Sequence, residues 1–319
     1  MADLPSIEEL FPTHGAIKEP QQIGRTRTIE DLADRVRDRS DALLLHPRKE
    51  GKSSVAGAAM ARIAAEGGIV ADADCTSADV RDGPSLARAI LESVQSQGVQ
   101  LSRLLEARAG AARQKGRLAG LRKATSAAEE AGIESERARV FSGVLDALSS
   151  AGSEPSLEDI LGHLAQLGEE QTAGLFLDEL QEIAKWKDTV EVQEALARFM
   201  RHSGRKVAVV VAGSEQSAIE ALFAEGQPLH WEFEAFDLPP IDRVDWHEGI
   251  HGRFKAAGYQ IAAGRIDQIL ESTEGQPLRT MTVAKQALRE TRDTGESEVT
   301  WAAVTAAIET ASRHPSWNT

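Results

Sequence analysis

The amino-acid sequence predicts an α/β fold, in which a parallel sheet has helices on both faces, followed by a small all-helical domain. Three observations predict it. Unbroken apolar runs such as 174–177 and 207–211 alternate with stretches of helical spacing, which is typical of buried parallel strands joined by helices. Gly51-Lys52-Ser53 follows another apolar run and opens an alanine-rich stretch. Beyond residue 242, only helical periodicity remains.

The first predicted strand leads into a loop that is suited to phosphate. Residues 42–45 are apolar, Pro47 ends the run, and Gly51-Lys52-Ser53-Ser54 precedes a helical stretch over 55–65. In such a loop, backbone N–H groups and a helix N-terminus face the phosphates, a lysine reaches the terminal ones, and a serine hydroxyl binds Mg²⁺. His46 stands where the pattern usually has its first glycine. The alternative, a surface loop that contains Gly-Lys-Ser by chance, stays open at this point.

Polar residues follow two later strands. Asp178 and Glu179 come directly after the run 174–177, and Ser214 follows the run 207–211. Beside a phosphate-binding loop, the first acid can hold Mg²⁺, the second can polarise an attacking water, and the serine can contact the γ-phosphate. The alternatives are a solvated strand end for the two acids and a helix N-cap over 215–223 for the serine.

The chain is expected to form two domains, because 319 residues exceed the usual size of one core. Residues 1–22 are rich in proline and glycine, which favours an irregular N-terminal arm. The expected organisation continues with an α/β core over 23–241, a helical domain over 242–312 and a tail over 313–319. A change in composition marks an insertion in the core near 97–135.

A basic segment lies inside that insertion. Residues 101–125 hold seven basic side chains against one acid, a net charge of +6, so the rest of the chain, whose total is −14, carries −20. Such a segment can contact the phosphates of duplex DNA or an acidic partner protein, or it can be an ordinary solvated face. No aromatic residue lies among its basic ones, which gives no support to base stacking. The candidate contacts are Arg108, Arg113, Lys115, Arg117, Arg122 and Lys123.

The composition is that of an ordinary globular protein, with 41% hydrophobic and 27% charged residues. The net charge of −14 argues against a protein that coats nucleic acid over its whole surface. Cys75 is the only cysteine, which excludes an intramolecular disulfide and a cysteine-based zinc site. The N-terminus has no signal-peptide pattern, and no apolar run reaches 18 residues. We therefore expect a cytoplasmic protein that does not span a membrane.

Five short motifs, taken in order, resemble those of the AAA+ and STAND branch of P-loop ATPases, especially the archaeal-type ATPases related to replication initiators. Ile23-Gly24-Arg25 resembles the family's box that packs against adenine, and residues 45–54 resemble its phosphate-binding loop, including the unusual proline and arginine. Residues 177–183 resemble its Walker B run, which often continues into Gln-Glu. Residues 212–214 resemble sensor 1, and 273–277 with Arg279 resemble sensor 2. The resemblance spans roughly residues 20–312.

The resemblance implies an AAA+-like core with a helical lid that binds ATP and Mg²⁺. It implies that Lys52 neutralises the β- and γ-phosphates and that Ser53 and Asp178 hold the metal. Glu179, Ser214 and Arg279 are the implied catalytic residues: Glu179 activates water, and the other two contact the γ-phosphate. The implied nucleotide contacts are Ile23, Gly24, Arg25, Pro47, Arg48, Lys49, Glu50, Gly51, Lys52, Ser53 and Ser54.

Departures from the family pattern bear on function. His46 replaces a loop glycine, and the turn after Pro228-Leu229 continues with 230–234 where the family often has an arginine that serves a neighbouring subunit. No winged-helix domain is expected after the lid.

The sequence leaves three functions open. The first is a homo-oligomeric ATPase in a DNA transaction, such as a loader, a transposition regulator or a replication accessory of a phage or mobile element; the basic segment favours it. The second is a STAND-type signalling or defence switch with slow or no turnover, which the departures favour. The third is an assembly subunit that keeps the loop without turnover. Under the first, ATP hydrolysis is expected to be slow or to depend on a partner protein or DNA.

Overall fold

The computed structural model describes residues 5–13, 15–17, 21–97, 156–202, 206–230, 233–313 and 317. The basic segment 101–125, with its six candidate contact residues, and nearly all of the expected insertion 97–135 lie outside the described residues. The chain divides into two compact units: the first comprises 1–32, 44–59 and 236–319, and the second comprises 33–43 and 60–235. The limits predicted from the sequence, 23–241 for the core and 242–312 for the helical domain, remain predictions.

A four-stranded parallel sheet with the strand order β1-β4-β3-β2 confirms the α/β prediction. In the middle of the sheet, β3 pairs in parallel with both β2 and β4. All of β4 and all but the last residue of β3 are buried. This burial on both faces explains why their sequences are unbroken apolar runs rather than alternating ones. The strands are β1 (Ala42–Leu45), β2 (Ile69–Asp74), β3 (Ala173–Asp178) and β4 (Ala208–Gly213).

Helices of four to eighteen residues make up much of the remaining described chain. A 3₁₀ segment, Leu180–Lys185, follows β3 directly. Within the described ranges, no helix is long and apolar enough to cross a membrane. The helices are α1 (Ile7–Leu10), α2 (Thr26–Arg37), α3 (Lys52–Ala65), α4 (83–97), α5 (Leu157–Glu170), α6 (Thr189–His202), α7 (Gln216–Leu222), α8 (Arg243–Ala256), α9 (Ala263–Thr273), α10 (Pro277–Thr294) and α11 (Trp301–Ser312).

Two glycines of the second unit, Gly168 and Gly174, allow neighbouring layers to pack closely. A Cβ atom on Gly174 of β3 would come within 2.9 Å of the Met60 sulfur and 3.1 Å of Val36. A Cβ atom on Gly168 of α5 would come within 2.5 Å of the Lys206 carbonyl oxygen. All three distances are below normal van der Waals contact, so any larger residue would push these layers apart.

The helices after residue 242 enclose a core of their own in the first unit. It confirms the C-terminal helical region that the sequence predicts. Glycine ends the longest of these helices, α10, because Gly295 has φ of 74° and this left-handed conformation carries no Cβ penalty there. The buried side chains of this core include Trp246, Ile250, Phe254, Ile266, Leu270, Met281, Leu288 and Val304.

The N-terminal stretch, expected from the sequence to be irregular, contributes to this helical core. It contains α1, which a capping box opens. Phe11 is fully buried, and its ring lies edge-on to that of Phe254, with centroids 5.3 Å apart. Glu8 forms an ion pair with Lys285 of α10, whose side chain is only 9% exposed. Contacts with distant residues order this segment, and they leave no periodic pattern in so short a stretch.

Candidate functional site

The loop after β1 curls around the ammonium group of its own lysine. Lys52 is the first residue of α3 and is buried. Its Nζ atom donates to the carbonyl oxygens of His46, at 2.8 Å, and Pro47, at 2.9 Å. Gly51, with φ of 87°, provides the left-handed turn into the helix. The loop therefore places a cation at a helix N-terminus, where anions are favoured.

The His46 side chain is directed at residues 237–238 of the first unit. Its Nε2 atom accepts the backbone N–H of Leu238 at 3.0 Å, which places the ring proton on Nδ1. Burial lowers the pKa of the His46 imidazole; nearby Asp237 opposes this shift, and Lys52 and Arg25 add to it. A neutral histidine thus fits where the usual pattern has glycine.

Arg25 links the segment 23–25, which the resemblance assigns to adenine contact, to the phosphate-binding loop by a hydrogen bond. Its guanidinium group donates to the Glu50 carbonyl oxygen and, through Nε, to the Pro239 carbonyl oxygen at 3.2 Å. Burial lowers the pKa of Arg25, and the Glu50 carboxylate partly offsets this effect. Gly24 precedes it with φ of 64°, and a Cβ atom there would lie 2.6 Å from the Asp245 carboxylate. Only glycine fits this turn without strain.

Ser54 connects the start of α3 to the N-terminal segment. Its hydroxyl oxygen accepts the backbone N–H of Ile17 at 2.9 Å. The Gln22 side-chain amide donates to the carbonyl oxygens of Ile17, at 2.7 Å, and Ser54. Ser54, which the sequence assigns to nucleotide contact, therefore also fixes the segment that borders the pocket described next.

A pocket lies beside this loop in the first unit. Its walls are mainly apolar and carry a small number of polar groups, the usual character of a small-molecule site. Four of the implied nucleotide contacts line it: Ile23, Arg25, Gly51 and Ser54. The other lining residues are Ile17, Gln21, Gln22, Val55, Ile241, Trp246, Arg253, Pro277 and Met281.

Trp246 and Arg253, both on α8, are pocket residues that sequence reasoning missed. The indole Nε1 atom of Trp246 is buried without a hydrogen-bond partner among the described residues. Arg253 donates to the carbonyl oxygens of Leu10 and Gln21, and burial lowers its pKa to about 10. In the sequence, the one signal that could have drawn attention to Trp246 is that aromatic residues are scarce, at 4% of the chain.

Arg279 lies near the start of α10, whose first residue is Pro277. Its Nη2 atom donates to the Trp317 carbonyl oxygen at 2.5 Å, and its guanidinium carbon lies 5.4 Å from the centroid of the Trp317 ring. The pKa of Lys49, in the phosphate-binding loop, is lowered by burial and by the positive charges of Arg279 and Arg48. Like charges that crowd together in this way favour a polyanionic ligand.

The predicted acids lie at the carboxyl end of β3 in the second unit. Glu179 follows the strand in a left-handed conformation, with φ of 52° and ψ of 45°. Its backbone N–H donates to Asp178 Oδ1 at 3.1 Å. The Oε2 atom of Glu179 accepts the Ser214 hydroxyl at 2.6 Å. The N-cap position of α7 belongs to Glu215, so Ser214 is a partner of Glu179 rather than the cap considered for it.

The second unit also contributes Gln181, which the sequence places in the Walker B run without assigning it a role. The Gln181 side-chain amide donates to the same Oε2 atom of Glu179 and lies 3.5 Å from the Ser214 hydroxyl. The remaining implied residues, Pro47, Arg48, Glu50 and Ser53, belong to the loop and the first turn of α3. Across the described ranges, no three His, Cys, Asp or Glu side chains form a metal centre by themselves.

Three solved structures resemble this chain in fold. A Walker-type ATPase of Pyrococcus abyssi matches with a TM-score of 0.63 and 16% identity, over 95% of this chain and 76% of that one. The Aeropyrum pernix ORC2 protein, in ADPNP and ADP complexes, matches with a TM-score of 0.58 and 16% identity, over 92% of this chain and 71% of that one. The Aeropyrum pernix ORC1 protein, in complex with DNA, matches with a TM-score of 0.53 and 15% identity, over 96% of this chain and 69% of that one. The chain has the fold of AAA+ P-loop ATPases.

No protein-family model and no curated protein sequence matches the chain. At the identities found, the likeness to solved structures establishes the fold alone.

Proposed function

We propose that this protein is an AAA+-type ATPase that binds ATP with Mg²⁺. The observation that carries the proposal is the pocket of the first unit, which the Ile23-Gly24-Arg25 segment, the phosphate-binding loop and the helical region form together. Its apolar walls suit a nucleobase, and the loop at its border suits phosphates. The basic residues of the loop, Arg48, Lys49 and Lys52, support a polyphosphate ligand over a neutral one.

The proposed chemistry follows the roles that the resemblance implies for these residues. In the first unit, Lys52 would exchange the carbonyl oxygens of His46 and Pro47 for β- and γ-phosphate oxygens, and Arg279 would contact the γ-phosphate. Ser53 and Asp178 are the proposed protein ligands of Mg²⁺, which would supply charge neutralisation at the transferred phosphoryl group. Glu179 would accept the proton of the attacking water, and Ser214 would fix its carboxylate.

We further propose that the protein works as a homo-oligomer in a DNA transaction. The basic segment 101–125, with a net charge of +6 in an acidic chain, supports contact with DNA phosphates or with an acidic partner protein. The shared fold with the DNA-bound ORC1 protein is compatible with this role. Turnover is expected to be slow without a partner, because residues 230–234 include no arginine that could serve a neighbouring subunit.

A nucleotide-gated signalling switch of STAND type is the second candidate, and the missing arginine favours it. His46 no longer does so, since its side chain is hydrogen-bonded outside the loop. DNA-stimulated ATP hydrolysis supports the first function, whereas ATP binding with no turnover under any condition supports the second.

The decisive experiment is the thermal melt of the purified protein with and without ATP–Mg²⁺. Saturation at 100 times Kd stabilises a protein by about 2.7 kcal/mol, which for a chain of this size is a shift of a few degrees in Tm. Lys52→Ala should abolish this shift, and the exposed Lys255→Ala should retain it. Because Lys52 holds two loop carbonyls, its variant should also melt lower without nucleotide, so each shift is taken against the variant's own nucleotide-free melt.

Hydrolysis is tested separately. Glu179→Gln should bind ATP like the wild type and lose turnover, since the amide keeps the shape and cannot accept the proton. An unchanged wild-type melt at millimolar ATP–Mg²⁺ would contradict nucleotide binding. Equal turnover by the wild type and Glu179→Gln would contradict the hydrolytic role.

A further inference from the structure

Gln181 is a buried amide that no part of the proposed function uses. Only 1% of the residue is exposed. Its Nε2 atom donates to Glu179 Oε2, and its Oε1 atom is buried with no hydrogen-bond partner among the described residues. A Cβ atom on Gly213, the last residue of β4, would lie 2.9 Å from that Oε1 atom. The amide thus fills the space between the ends of β3 and β4.

The backbone explains how Gln181 reaches Glu179. Glu179 is left-handed, and a 3₁₀ turn begins at the next residue, with Glu182 N–H donating to the Glu179 carbonyl at 3.0 Å. This turn brings the side chain of residue 181 back beside that of residue 179. A left-handed conformation in a residue other than glycine is strained and persists only where its surroundings hold it.

Core packing does not account for a glutamine at this position. A buried amide with one unpartnered oxygen is destabilising, and an apolar side chain of similar size avoids that cost. Residues that lower stability in this way are typical of functional sites. The contacts of the amide nitrogen are with two groups of proposed chemical function: it donates to Glu179 and lies 3.5 Å from the Ser214 hydroxyl.

We propose that Gln181 is a positioning residue for hydrolysis, which fixes the Glu179 carboxylate together with Ser214. The inference rests on the proposed function. Both donors bind Oε2, and no donor in the described chain reaches Oε1. Oε1 is therefore the oxygen that accepts a proton from water, while the water oxygen bonds to the γ-phosphorus and the bond from that phosphorus to the bridging oxygen of ADP breaks. The products are ADP and inorganic phosphate.

Ser214 and Gln181 also join two parts of the second unit. Ser214 follows β4 and Gln181 follows β3, and both side chains donate to the same carboxylate oxygen of Glu179. A shift of the β4 end is thereby transmitted to the orientation of the general base. Gln181 acts through Glu179 in this arrangement and does not itself contact the reacting atoms.

The test compares Gln181→Met with Gln193→Met. Gln193 is a matched control, because it is also buried in the second unit, also has an unpartnered Oε1 atom, and bonds Thr189 rather than Glu179. Single-turnover hydrolysis is measured with protein in excess, and ATP affinity is measured for each variant. Gln181→Met should bind ATP as the wild type does and hydrolyse it roughly 10-fold to 100-fold more slowly. Gln193→Met should match the wild type in both.

A second readout needs no turnover. In ¹⁵N-labelled protein without nucleotide, the side-chain NH₂ signal of Gln181, assigned by its loss in Gln181→Met, should show slow exchange with water. Glu179→Ala should remove this protection, since it deletes the acceptor. The NH₂ signal of Gln193 should not respond to Glu179→Ala.

Three outcomes overturn the proposal: wild-type hydrolysis by Gln181→Met, an equal loss in Gln193→Met, or a loss that follows weakened ATP binding. A Gln181 NH₂ signal that ignores Glu179→Ala overturns it as well. These failures differ from failure of the proposed function. If ATP binds and the wild type is no faster than Glu179→Gln, the hydrolytic function itself is wrong.

Discussion

The backbone N–H of Leu238 donates to His46 Nε2 at 3.0 Å, which links the phosphate-binding loop to the segment that leads into the helical region of the first unit. A histidine at this loop position would be disruptive if its ring filled the turn. Its ring instead serves as an acceptor outside the turn, and the Lys52 ammonium group contacts the loop from the other side through the His46 and Pro47 carbonyls. The link requires neutral imidazole, because a protonated ring has no acceptor nitrogen.

Acid pH should therefore weaken the fold through His46. Its folded pKa is lowered by burial, with Lys52 and Arg25 adding to the shift and Asp237 and Glu50 opposing it. Between that lowered value and the ordinary value of 6.5, the unfolded chain binds more protons than the folded one, so stability falls as pH falls through this window. Above pH 6.5, His46 is neutral in both the folded and the unfolded chain, so it no longer makes stability depend on pH. The measurement is Tm of the wild type and of His46→Gln from pH 7.5 to pH 5.

The glutamine side chain in the His46→Gln variant keeps an acceptor oxygen but does not titrate, so the variant isolates the effect of the histidine. The wild type should lose more Tm than the variant on acidification, because the two proteins differ only at residue 46. Parallel curves would show that protonation of His46 is not linked to folding.

Gly24→Ala should destabilise the first unit by about 1–3 kcal/mol, because alanine is strained at positive φ and its Cβ overlaps the Asp245 carboxylate. Gly252→Ala is the matched control. Gly252 lies within α8 with no atom within 4 Å of its added Cβ, so alanine should stabilise it by up to about 1 kcal/mol. Urea midpoints measure both changes, and a loss of similar size in the two variants would contradict the structural reason given.

Trp317→Ala should weaken ATP binding more than ADP binding. The Trp317 ring holds the Arg279 guanidinium group, and such a contact is worth about 0.5–1 kcal/mol, or roughly twofold to fivefold in affinity. ADP lacks the γ-phosphate that Arg279 is proposed to contact, so its affinity should change little. Trp317→Phe keeps an aromatic face and should retain most of the ATP affinity. Equal losses for ATP and ADP in calorimetric titrations would separate Trp317 from γ-phosphate recognition.

If the basic segment binds duplex DNA, the affinity should fall steeply with salt and show no sequence preference. Changing Arg113, Lys115 and Arg117 together to Gln should flatten the log–log salt slope by about 2.7, at about 0.9 per lost phosphate contact. The corresponding Glu triple variant should remove binding and keep the ATP-induced melting shift.

A control with the same charge change as the Gln triple variant replaces three exposed basic residues elsewhere, by Lys187→Gln, Lys255→Gln and Arg292→Gln. It should leave the salt slope unchanged. No binding by the wild type at 50 mM salt with ATP present would favour the signalling switch.

Local sequence was sufficient for the elements that depend on near neighbours. An unbroken apolar run such as 207–211 identifies a strand buried on both faces, and Gly51-Lys52-Ser53 identifies the turn into a helix, because each pattern reflects backbone conformation within a few residues. The acids at 178–179 and the serine at 214 follow from the same reasoning, since they come directly after buried strands.

Contacts between distant residues decided the rest. The sequence marks His46 as a departure, but its acceptor role depends on Leu238, 192 positions away. Trp246 and Arg253 line a pocket with residues of the N-terminal segment, and Gln181 reaches Glu179 through a left-handed turn. Periodicity records which face of an element is buried, but not which distant side chain it meets. The sequence alone therefore determined the fold class and the turn from residues 46–51 into α3, and tertiary packing decided which side chains surround them.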